Sequence, residues 1–349
     1  MQKVGHAVAP ALGLVLLAVL VAVCSSASPA SSALTAANRK HASWASRQTT
    51  ISATRSAGAF PSGLWVSDLN ADTVTLFGLP PSSRRIVTLH KGIVHPEALA
   101  FDRHGNLWVG DGGVHATIRE YVPAQGSAPV PVTTIPTRGL SPEGLAFDAR
   151  GNLWVAGGGA VLEFAATSLG HTLSPSRVIT SPSLLDGPDA LTFASQGNLW
   201  VANYGNRVLL EFPARSLSTS HPRPAAHIQQ PSGATPFAIT FDSHGNLWVA
   251  DQNDKIYEYA ARSLGRTDTP SATIDMSRFI SGGVVGLAFD TFGDLWASAV
   301  GSSRSGAPEG MVYEYAARSL GRTDTPSAHI VASTSSNPGT WALAFTPAR

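Results

Sequence analysis

Apolar and polar positions follow one another along this chain in a phrase that keeps returning. Pro96-Glu97-Ala98-Leu99-Ala100-Phe101-Asp102 leads to Gly105-Asn106-Leu107-Trp108-Val109, and the same order recurs over residues 142–155, 188–201 and 236–249. A further copy ends at Trp296, with Val284 in the place of the proline and Asp294 in the place of the asparagine. Each copy holds two short apolar runs separated by turn residues, which predicts a β-hairpin. Residues 99–101 predict a strand A and residues 107–109 a strand B. Gly105-Asn106 falls in the turn between them, where tolerance of positive φ is needed. Downstream, residues 255–259 predict a strand C and residues 271–274 a strand D, with further D strands at 132–135, 177–179 and 226–228.

A sixth tryptophan strand, Leu64-Trp65-Val66-Ser67-Asp68, opens the repeat region without a strand A before it. The missing phrase stands at the far end of the chain, as Thr340-Trp341-Ala342-Leu343-Ala344-Phe345. A repeat divided in this way implies that the C-terminal strand pairs into the N-terminal unit and closes a ring. The tryptophans at 65, 108, 154, 200, 248 and 296 are 43 to 48 residues apart, enough for four short strands per unit. The expected fold is therefore all-β, a six-bladed β-propeller of four-stranded blades over residues 58–349. Closure leaves no long open edge, so the fold needs no disulfide. Tyr257-Glu258-Tyr259 opens a stretch that runs to Ala272 and is repeated identically from Tyr313 to Ala328. Duplication within the gene accounts for it without a function.

The repeated phrase, with an acidic-aromatic strand C behind it, resembles the NHL-repeat propellers, a group that includes enzymes, sensors and interaction scaffolds. It is more distantly similar to the senescence-marker/gluconolactonase group. There the residue before the first Gly-Leu of certain inner strands is a metal ligand, drawn from Glu, Asn and Asp. The matching positions here are Glu97, Glu143, Asp189, Phe237, Val285 and Trp341. Three adjacent units thus offer carboxyls and three offer apolar groups, a different distribution from that family's. Virginiamycin B lyase shares the Gly-Asn-Leu-Trp wording, but its family has seven blades and a His-x-Glu catalytic cluster. In this chain His95 precedes Pro96-Glu97, and no Glu-x-His pair occurs in the rim phrases.

Composition narrows the function classes. The 24 basic and 23 acidic residues leave a net charge of +1, so no broad field attracts nucleic acid or an anionic membrane. Residues 1–27 read as a signal peptide, a basic start followed by the uncharged run from Ala7 to Val23. The single cysteine, Cys24, ends that run and resembles a lipobox cysteine, with cleavage after Ala27 as the alternative. Residues 28–57 are rich in Ser, Ala and Thr and predict a flexible tether. The expectation is an exported protein, secreted or held at the cell surface by a lipid on Cys24, monomeric, with no nucleic-acid partner.

Strand-A starts and strand-B ends share one end of each blade, so Glu97, Glu143 and Asp189 are expected on a rim with Asp68, Asp111, Asn203 and Asp251. Clustered carboxyls repel unless a cation or shared proton intervenes. Glu97, Glu143 and Asp189 are accordingly the candidate metal-facing residues, with Ca²⁺ the fitting ion because it takes many oxygen ligands. Phe237, Val285 and Trp341 are expected to form an apolar wall opposite them. Two functions follow: a module that binds or senses a small molecule or protein partner at the acidic rim, or a Ca²⁺-dependent lactone or ester hydrolase with Glu143 as base candidate. A scaffold recognising a protein through its loops is a third. The same acids have a plainer reading as turn residues, because an Asp ending strand B commonly accepts hydrogen bonds from the turn that follows.

Overall fold

A computed structural model describes residues 59–347 apart from 114, 124–128, 171–173, 182, 220, 304–309, 324 and 334–338. The signal segment, Cys24 and the tether lie outside the described residues. From Phe60 onward the chain forms six four-stranded antiparallel sheets in a ring, with one two-stranded ribbon, Ile280–Ser281 with Ser302–Ser303, beside the last blade. Blade 1 takes its inner strand A, Thr340–Phe345, from the C-terminal end and pairs it with strand B, Leu64–Asp68. Blades 2 to 6 each run A to D in chain order, with strand A at Pro96–Phe101, Gly144–Phe147, Pro188–Phe193, Pro236–Phe241 and Val284–Phe289. The A strands touch one another all the way round the ring. The D strands alternate buried and exposed positions on the outside.

Why strand B is so constant is visible in its burial. All five residues of every B strand are buried, because a blade neighbour covers each face. Each B-strand tryptophan meets edge-on the strand-A phenylalanine of the next blade. The pairs are Trp65–Phe101, Trp108–Phe147, Trp154–Phe193, Trp200–Phe241, Trp248–Phe289 and Trp296–Phe345, with ring centroids 5.9 to 6.5 Å apart. The last of these joins blade 6 back to blade 1.

The A–B turn departs from the expectation in one respect. Gly105 and its counterparts take the positive φ, at +77° for Gly105 and +83° for Gly151, while Asn106 and Asn152 do not. The asparagine is there for its side chain. The Asn106 amide donates to Asp102 at 2.9 Å and to the strand-C Glu120 at 2.8 Å, and Asn152 does the same with Asp148 and Glu163. The strand-A Asp also accepts the indole N–H of the blade's tryptophan, at 3.1 Å in Trp154, Trp248 and Trp296. One Asp–Asn–Glu–Trp network thereby ties three strands of a blade together.

Blade 1 lacks the Asp and the asparagine, and the Thr346 hydroxyl accepts its Trp65 indole N–H at 3.1 Å instead. Two further blades break the network. In blade 4, Ala194 stands where blades 2, 3, 5 and 6 carry Asp, and the buried Trp200 indole N–H finds no acceptor among the described residues. In blade 6, Asp294 replaces the asparagine. The donor between strand A and strand C is lost, and the Glu314 carboxyl is raised by burial and by Asp294 and Asp290 beside it. Two predictions follow from these gaps. Ala194→Asp should supply the absent acceptor and stabilise the domain by about 1 kcal/mol, the usual net value of one hydrogen bond. Asp294→Asn should restore the amide bridge and stabilise by about 0.5–1 kcal/mol near neutral pH. Urea unfolding checks both: higher midpoints at unchanged slope are expected, and unchanged or lower midpoints would refute the network as a source of stability.

Candidate functional site

The strand-A starts carry a feature that periodicity does not reveal. In blades 2, 4, 5 and 6 the pairing register slips between the first and third residues of strand A, leaving Glu97, Asp189, Phe237 and Val285 unpaired at β-bulges. The register of blade 1 slips in the same region, at Trp341 and Ala342. Blade 3 has no such pair, and Glu143 sits just ahead of Gly144–Phe147 with its amide on the Ala156 carbonyl. A bulge bends the strand and re-aims the extra side chain. Here it brings one position per blade to the end of the ring axis.

A cavity of about 110 Å³ lies on that axis, lined by Glu97, Glu143, Phe237, Val285 and Trp341 with the adjoining A-strand residues of all six blades. Asp189 is not among its lining residues and lies between blades 3 and 4. The Glu97 carboxylate accepts from the Ser141 hydroxyl at 2.5 Å and lies 3.1 Å from Nδ1 of His95. It folds over Gly112 so closely that a Cβ there would stand 2.2 Å from the carboxylate. His95 itself holds a left-handed backbone, φ +57°, with its amide donating to Asp72 at 2.8 Å. Glu143 and Asp189 accept no side-chain hydrogen bond from any described residue. Burial, with the charge of Glu97 added, pushes the Glu143 carboxyl up to about 7. Burial, then Glu143 and Glu97, holds Asp189 well above the usual carboxylate range.

The opposite arc is aromatic. Phe237 of blade 5 and Trp341 of blade 1 reach over Val285 and meet edge-on at 5.8 Å. Tyr204, from the B–C turn of blade 4, extends the arc 5.5 Å beyond Phe237 and is 45% exposed.

Asp68, Asp111, Asn203 and Asp251 lie at the same end of the blades but outside the cavity lining, buried at the ends of their B strands. Their side chains are occupied by loops. Asp68 accepts the amides of Asn70, Ala71 and Gly339, and Asp251 those of Asn253 and Lys255. Asp111 accepts the Val94 amide and pairs with Arg119, and Asn203 bonds Asp186 and Leu184. The acidic end of the ring thus has two tiers, an outer one that fixes loops and an inner one at the bulges that faces the axis.

No group of three or more His, Cys, Asp or Glu side chains among the described residues is placed to hold a metal ion. Glu97, Glu143 and Asp189 feel one another's charge, but as arranged they do not form a compact Ca²⁺ ligand set. Four residues of this end were not singled out as site residues from the sequence: His95, Ser141, Gly112 and Tyr204. Nothing local marks Ser141 as a neighbour of Glu97, forty-four positions away.

The raised carboxyls set a pH dependence. Glu143 at about 7, Asp111 and Asp251 at about 6 and Asp189 all bind protons more tightly folded than unfolded. Their stabilising effect is therefore complete below the ordinary carboxylate range and lost as pH rises through 7. The melting temperature should fall between about pH 5 and pH 8, and Glu143→Gln should flatten that fall. A melting temperature that rises over this interval would show that these groups are not proton-loaded in the fold.

No family model matches the chain, and no curated protein does. Among solved structures it is similar to a protein of unknown function from Bacteroides caccae, at 12% identity and a TM-score of 0.61, covering 82% of this chain and 99% of that one. It is also similar to virginiamycin B lyase from Staphylococcus aureus, at 15% identity, 74% and 82% coverage and a TM-score of 0.49. A streptogramin B lyase gives 16% identity, 74% and 84% coverage and a TM-score of 0.48. At these identities the first likeness is one of fold alone, and the two lyase likenesses carry no functional weight.

Proposed function

We propose that this propeller is a binding or sensing module that takes a small molecule at the mouth of its axis. The observation that carries the reading is the division of one cavity into a carboxyl arc from blades 2 and 3 and an aromatic-apolar arc from blades 5, 6 and 1. Pockets that combine an apolar wall with a few convergent polar groups are the usual form of small-ligand sites. The cavity is well below the roughly 300–1,000 Å³ of sites that enclose a whole drug-sized ligand. It suits the head of a ligand whose remainder lies over the loops. The resemblance of the repeat to NHL-type propellers, some of which are sensors, supports the same reading. The leader-like first 27 residues would place the mouth outside the cytoplasm, with solutes there as its ligands.

Equilibrium dialysis of the purified chain against a mixture of small metabolites, followed by mass spectrometry, tests this. At least one compound should be retained by the native chain and lost from a Phe237→Ala, Trp341→Ala double variant that keeps the native circular dichroism. Retention of nothing, or equal retention by both proteins, would remove the mouth as a ligand site.

A further inference from the structure

The two arcs of the mouth make opposite demands on an occupant unless it is a cation with an apolar surface. Of the acids that line the mouth, Glu143 accepts no side-chain hydrogen bond from any described residue, and a partly buried carboxylate without a donor is costly to ionise. A positive charge beside it removes that cost. The faces of Phe237, Trp341 and Tyr204 carry the negative side of the ring quadrupole and attract the same charge. An anion would be repelled by the carboxyl arc. A neutral apolar group would satisfy the rings but leave Glu143 without a partner. A hard metal ion needs oxygens converging at about 2.3–2.6 Å, which these acids as placed do not offer. An organic ammonium has no fixed coordination number, so Glu97 and Glu143, on two blades, can serve it together.

We propose that the mouth recognises a small organic ammonium, its charged head beside the Glu143 and Glu97 carboxyls and its methyl or methylene groups against Phe237 and Trp341. This rests on the reading of the mouth as a ligand site and names the chemical class of the ligand. About 110 Å³ admits such a head group. The rest of the molecule would leave the mouth over the exposed ring of Tyr204, so the site selects for the head and tolerates variety in the tail.

Three probes of nearly one shape separate charge from shape: choline, its neutral isostere 3,3-dimethylbutan-1-ol, and the anion 3,3-dimethylbutanoate. Binding to the full chain is read by calorimetry at about pH 8, above the titration of Glu143. Choline should bind at least about tenfold more tightly than the alcohol, and the anion should not bind. Glu143→Gln should weaken choline by about fivefold while leaving the alcohol unchanged, and Trp341→Leu should weaken choline to a similar degree. Glu143→Gln removes a costly buried charge, so at that pH it should melt no lower than the native chain. Equal or tighter binding of the alcohol or the anion would overturn the ammonium assignment and leave the mouth a ligand site of another class. Failure of all three probes to bind would also overturn it, and the ligand-site reading would then be decided by the dialysis experiment alone.

Discussion

Everything in this molecule depends on the edge-on contact between a B-strand tryptophan and the strand-A phenylalanine of the next blade. A single four-stranded blade has two apolar faces and cannot bury either by itself. Six such contacts, each worth about 0.5–1.5 kcal/mol beyond the area it buries, set every blade against its neighbour with the same offset. Because the Trp296–Phe345 contact uses a strand from the far end of the chain, the circle is completed by packing and by backbone pairing together. Neither end of the domain can loosen without exposing both blade 1 and blade 6.

The indole nitrogen gives the same ring a second use. A buried N–H must find an acceptor, and the strand-A Asp provides it while its other oxygen takes amides of the A–B turn. Asparagine then carries the chain of hydrogen bonds on to the strand-C Glu. The network sits at the end of the blades where A and B turn, and the bulged strand-A starts lie at the other. One end is thus specialised for holding the blades and the other is free to vary. Of the six bulge or pre-strand positions, three are acidic and three apolar, whereas the tryptophan does not vary at all.

That division of labour explains which parts of the architecture were legible beforehand. The hairpin phrase, the displaced strand Thr340–Phe345 and the near-even tryptophan spacing specify blade number, strand order and closure, because a repeat must present the same surface to each neighbour. The positions of Glu97, Glu143, Asp189, Phe237, Val285 and Trp341 at one end of the axis follow from the same register. The asparagine of the phrase was open to misreading as a second turn residue, since its reason is a glutamate in another strand.

Residue order alone therefore determined the closed ring and the end of it that carries the acids, since both follow from local alternation repeated six times. Only the tertiary structure decided which acids face the axis. Asp68, Asp111, Asn203 and Asp251 share that end with the mouth residues, yet their side chains are taken: Asp251 and Asp68 by the turns that follow them, as their place at a strand end suggests, and Asp111 and Asn203 by Val94, Arg119, Leu184 and Asp186. Glu143 and Asp189 accept no side-chain hydrogen bond from any described residue. The bulges, the cradle that Gly112 provides for Glu97, and the meeting of Phe237 with Trp341 across an intervening blade are likewise products of the closed ring. Hydrogen-bond demand and aromatic reach act over a few ångströms in space, and residues 104 positions apart come within that range only once six blades have closed.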